Sequence, residues 1–145
     1  MQALKKIQQE LKAPKGQYNN FGRYAYRSAE DILEAVKPLL AKYDAELTLS
    51  DDITEVGGRI YVKATARFIE HDAETGINDL TTVTAFAREP AEKKGMDESQ
   101  ITGTASSYAR KYALNGLFLI DDTKDADSMD APQTNTQPVQ QAQSG

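Results

Sequence analysis

The chain has 145 residues, no cysteine, a single histidine and a formal net charge of −5, with 39% hydrophobic residues. That length makes one domain the natural expectation. The missing thiols exclude a disulfide framework or thiolate metal site, and His71 alone builds no histidine cluster. No apolar run approaches the ~20 residues needed to cross a bilayer, and the amino-terminal residues lack a signal-peptide apolar core, so a non-exported protein of the cytoplasm is expected.

Taken in chain order, Leu4, Ile7 and Leu11 share one face of a short helix that Pro14 and Gly16 end. A turn-rich stretch with Tyr18, Phe21, Arg23, Tyr24, Tyr26 and Arg27 predicts a loop and a short strand over residues 24–26. Ser28 with Asp31 three residues on reads as the cap of a second helix. Its apolar face is Ile32, Leu33, Val36, Leu39, Leu40 and Tyr43, and Pro38 removes one internal bond and predicts a kink.

The period then changes to two. Residues 46–53 form one strand, Gly57 and Gly58 a turn, and residues 59–70 a longer strand. That strand points Ile60, Val62, Ala64, Ala66 and Phe68 to one side and Arg59, Tyr61, Lys63, Thr65 and Arg67 to the other. After an acidic loop, residues 80–88 return as a third antiparallel strand ending at Arg88. The expected fold is therefore α+β, an antiparallel meander of about three strands packed against helices.

Residues 100–122 hold the densest signal. Asp97 and Gln100 form a capping box, and Asn115-Gly116 predicts the helix end. Ile101, Ala105, Tyr108 and Tyr112 form the expected packing stripe, while Gly103, Thr104, Ser107, Arg110 and Lys111 make a small, hydroxylated, basic face suited to phosphate. Residues 1–120 carry 16 Lys and Arg against 17 Asp and Glu, and residues 121–145 one against five. Any polyanion site must therefore be a local patch in a nearly neutral core. Residues 123–145, rich in Ser, Thr, Asn and Gln, are expected to form a disordered tail beyond a core of residues 1–122. Its aspartates lack the glycine and terminal glutamate of a calcium loop.

The run from Gln100 through Ala109-Arg110-Lys111-Tyr112-Ala113-Leu114, the Gly116-Leu117-Phe118 step and the Asp121-Asp122 pair resemble the essential recombination function (ERF) family of phage single-strand annealing proteins. Tyr26 to Ile32, Lys37 to Leu40 and the hairpin from Gly58 to Phe68 extend the resemblance over most of residues 18–122. A weaker fold-level similarity links that family to the Rad fifty-two type annealing proteins. The resemblance implies a phage- or prophage-encoded protein, active in a bacterial host without nucleotide or other cofactor. It further implies a homo-oligomer, often a ring, that aligns complementary single strands of DNA.

The candidate DNA contacts are Arg110, Lys111 and Ser107 on the helix, Arg59, Tyr61, Lys63 and Arg67 on the long strand, Arg88 on the third, and Arg23 and Arg27 in the aromatic loop. Cations would meet phosphates and Tyr61 would stack on bases without selecting them. The helix and the long strand are expected to wall one groove. The plainer alternatives are an ordinary solvated sheet face for the strand, a solvated helix end for Arg110 and Lys111, and a subunit contact for the aromatic loop. Lys93 and Lys94 suit a groove rim, and the tail suits a single-strand-binding partner. Two rival functions are a protein-interaction module without a DNA role and a metal-dependent nuclease using Asp121, Asp122 and Asp125.

Overall fold

A computed structural model describes residues 2–90 and 97–121. The element order is α1 (Ala3–Glu10), β1 (Gln17–Asn19), β2 (Tyr24–Tyr26), α2 (Ala29–Lys42), β3 (Ala45–Val56), β4 (Arg59–His71), β5 (Asn78–Arg88) and α3 (Glu98–Phe118). Strands β3, β4 and β5 form one antiparallel sheet with β4 in the centre, and β1 and β2 form a separate small hairpin. The α+β meander read from the sequence is thus present. The expected tail and the Lys93–Lys94 loop lie outside the described residues.

Local chemistry sets the element boundaries. Ser28 Oγ accepts the Asp31 N–H while the Asp31 carboxylate accepts the Ser28 N–H, satisfying orphan donors at the start of α2. Asp97 and Gln100 make the same reciprocal pair at the start of α3. Between β3 and β4, Gly57 and Gly58 adopt φ of 61° and 79°, the left-handed conformations that a two-residue hairpin turn requires. Pro38 sits inside α2, which continues to Lys42.

The core lies on one side of the sheet. Val62, Ala64, Ala66 and Phe68 of β4 are buried against α3, which contributes Ala105, Ala109, Ala113, Leu114, Leu117 and Phe118. Phe68 and Phe118 meet edge to face at 6.2 Å between ring centroids. Ile32 and Val36 of α2 and Ile7 of α1 complete the layer. Buried Glu70 accepts the Ala3 N–H at 2.9 Å, tying the start of α1 to the end of β4.

Two expectations for α3 are corrected. Its packing stripe is the alanine line continuing into Leu114, Leu117 and Phe118, whereas Tyr108 and Tyr112 are 51% and 48% exposed and stack on each other at 6.1 Å. Buried alanines on the helix and on β4 share one core cluster, and such small side chains let the two elements pack closely without a phenol ring between them. The helix also runs past Asn115-Gly116 to Phe118, with Leu119 taking the left-handed φ of 58°. Gly116 serves proximity instead of termination: a Cβ there would stand 3.3 Å from Val83 Cγ1. Continuing the helix buries Leu117 and Phe118, which a stop at Gly116 would leave unplaced.

Candidate nucleic-acid interface

Alternation along β4 divides the candidate residues between two sides of the sheet. Because Val62, Ala64, Ala66 and Phe68 face α3, Arg59, Tyr61, Lys63, Thr65 and Arg67 point to the opposite, helix-free face. Arg110 and Lys111 lie on the helix side. The single groove expected between α3 and the β4 cations is therefore absent, since the sheet itself separates them.

The helix-free face has an internal order that register makes visible. Tyr61 pairs with Arg88 and Lys63 with Phe86 across β4 and β5, so cation and ring alternate in both directions. Thr65 lies opposite Thr84 and Arg67 opposite Thr82. These columns of β4 and β5 carry Arg59, Lys63, Arg67 and Arg88 without a carboxylate. The acidic groups of this face, Glu46 and Asp52, sit on β3, where Asp52 pairs with Lys63. None of the four cations forms an ion pair among the described residues. Phe86, 51% exposed, is the member of this face that residue spacing does not single out. Its parity with Leu80, Thr82, Thr84 and Arg88 is readable, but its place beside Lys63 depends on a register that the length of the 72–77 loop does not fix.

At the other end of this face, His71 ties the three strands together. Its Nδ1 meets Asn78 Oδ1 at 2.8 Å on β5, and its Nε2 meets Glu46 Oε2 at 3.1 Å on β3. These contacts, with Asn78 the larger influence and Glu46 next, push the imidazole above its ordinary value.

On the helix side, Arg110 has an internal partner. Its Nε donates to Asp51 Oδ1 and Oδ2 at 3.1 and 3.3 Å, and Ser106 Oγ donates to Asp51 Oδ2 at 2.5 Å. Asp51 lies on the helix-facing side of β3, opposite Ala64, so this cluster pins α3 to an edge strand. Lys111 points elsewhere, its Nζ 5.7 Å from the centroid of Tyr26. Tyr24 and Tyr26 stand 6.0 Å apart on the β1–β2 hairpin, and on α3 Tyr108 and Tyr112 stack on each other. Loss of hydration raises the Tyr108 phenol pKa, with the Tyr24 and Tyr26 phenols adding to the shift. Ser107 is exposed on α3. Arg27 donates from Nε to the Ala13 carbonyl at 2.8 Å and so anchors the segment that follows α1, while Arg23 stands exposed in the hairpin turn.

Among the described residues, no three His, Cys, Asp or Glu side chains are grouped to hold a metal ion, and no helix is long and apolar enough to cross a membrane. Asp122 and Asp125 of the nuclease alternative lie outside the described residues.

The arrangement of cations and rings on a helix-backed sheet can be set beside known proteins. A family model described as the ERF superfamily matches residues 1–145. The chain is 52% identical over 142 residues to the Essential recombination function protein of Salmonella phage P22, an alignment covering 97% of this chain and 65% of the phage protein. It therefore spans just under two thirds of that relative's length. With a family match over all its residues and a relative at more than half identity, the chain belongs to the ERF superfamily.

Proposed function

We propose that this protein binds single-stranded DNA along the helix-free face of its sheet and, as an oligomer, anneals complementary strands in phage recombination. The observation that carries the reading is the β4–β5 array of Arg59, Lys63, Arg67 and Arg88 interleaved with Tyr61 and Phe86, with no carboxylate in either column. Residues two apart on a strand lie about 6.5–7 Å apart, so the array follows an extended backbone while the rings offer stacking surfaces that accept any base. Membership of the ERF superfamily and the recombination function named for the P22 relative support the same reading.

The mechanism requires no covalent step. Phosphates are held by cations, bases stay exposed, and pairing with a second strand locks the product. One chain offers few phosphate contacts, and an array of subunits multiplies them through effective concentration. Lys111, Ser107 and Arg23 add contacts on the helix side, and Arg110 and Arg27 position the elements that carry them. A second reading, in which a protein partner covers the same face without any DNA role, draws on exposed Leu80 and Phe86. Annealing of labelled complementary oligonucleotides without nucleotide separates the two. Acceleration over protein-free controls at low salt supports the DNA reading, and no acceleration refutes it.

A further inference from the structure

Phe21, in the turn of the β1–β2 hairpin, is 100% exposed, the highest value of any large apolar side chain among the described residues. The turn that displays it is built in detail. Asn19 Oδ1 accepts the Gly22 N–H at 2.9 Å, the Asn19 carbonyl accepts the Arg23 N–H at 2.7 Å, and Asn19 Nδ2 donates to the Tyr24 hydroxyl at 3.2 Å. Arg23 is held at a φ of 57°, and the Tyr24 ring lies so close to Gly22 that a Cβ there would fall 2.5 Å from Cε1. A side chain added at residue 22 would have to displace the Tyr24 ring, and the three Asn19 hydrogen bonds fix the backbone that carries the phenyl beside it.

Charge identifies the occupant. Between Glu10 and Glu30 the chain carries Lys12, Lys15, Arg23 and Arg27 and no acidic residue, in a protein whose net charge is −5. A cationic segment that presents a fully hydrated ring suits the π-faces and phosphates of unpaired nucleic acid, and Tyr18, 58% exposed on the same hairpin, adds a second ring. We propose that the β1–β2 turn is a base-stacking element: Phe21 stacks on an unpaired base of single-stranded DNA while Arg23 holds an adjacent phosphate. The proposal rests on the DNA reading above but uses a surface separate from the β4–β5 array.

The chain contains no tryptophan, so Phe21→Trp places a unique fluorophore at the tip. Titration with oligothymidylate should quench its emission saturably, and Phe21→Ala should weaken binding roughly tenfold, as loss of one base–ring stack does, with unchanged circular dichroism. Unchanged indole emission from the Phe21→Trp variant while anisotropy of the labelled oligonucleotide reports binding would overturn the stacking proposal and leave the sheet-face reading intact. Emission that instead follows protein concentration without DNA would assign the tip to a subunit contact and also overturn it. Absence of oligonucleotide binding by the unaltered chain would remove both readings.

Discussion

Replacing Asp51 with alanine separates the structural role of Arg110 from a role in DNA binding. The Asp51 carboxylate accepts from Ser106 Oγ at 2.5 Å and from Arg110 Nε at 3.1 and 3.3 Å, with side-chain exposures of 25% for Asp51 and 41% for Arg110. A charge-assisted hydrogen bond in the interior contributes about 1.5–3 kcal/mol, but water reaches both partners here and screens much of that. Asp51→Ala is therefore expected to cost about 1–2 kcal/mol, a fall in Tm of several degrees for a chain of this size. In a double-mutant cycle with Arg110→Ala, the coupling should be about 0.5–1 kcal/mol. Urea denaturation followed by circular dichroism measures both. Asp51→Ala should leave single-stranded DNA binding nearly unchanged, because Asp51 and Arg110 lie on the helix side of the sheet, away from the β4–β5 array. The reasoning fails if the coupling vanishes and Arg110→Ala abolishes DNA binding without loss of stability, since Arg110 would then be a phosphate ligand first.

Two further outcomes follow from local geometry. Gly103 lies on the exposed side of α3, where an added Cβ meets nothing within 4 Å, so Gly103→Ala should stabilise the fold by roughly 0.5–1 kcal/mol through helix propensity. A neutral or negative result in urea denaturation would contradict the open surroundings of that position. For His71, contacts with Asn78 and Glu46 raise the folded pKa above its ordinary value, so its stabilising contribution is complete below about pH 6.5 and is lost as pH rises through the folded value. The stability advantage of the unaltered chain over His71→Gln should therefore be greatest below about pH 6.5 and shrink as pH rises above it, and a constant difference would show that the imidazole is not charged in this cross-strand position.

The sequence made the sheet legible because β4 alternates cleanly and glycines 57 and 58 leave one turn chemistry. Both helix caps were likewise readable, since Ser28 with Asp31 and Asp97 with Gln100 are local signals that tertiary packing did not override. The face of α3 was harder to read. Its large residues, Tyr108 and Tyr112, look like core, but an alanine line sets how close the helix comes to the sheet and turns the rings outward. The expected groove failed for a related reason: the alternation that places Val62 and Phe68 beneath α3 obliges Lys63 and Arg67 to leave from the other side. The Asp51–Arg110 pair and the Phe86–Lys63 neighbourhood are long-range facts of register, which residue spacing within one element does not encode.

The central claim, that single-stranded DNA lies on the helix-free face, is tested most directly by the salt dependence of binding. Each neutralised phosphate contributes about 0.7 to the slope of log affinity against log salt for a single strand. The Lys63→Ala, Arg67→Ala double variant should therefore bind more weakly and with a slope about 1.4 shallower than the unaltered chain. A folded double variant with unchanged affinity and slope would contradict the account.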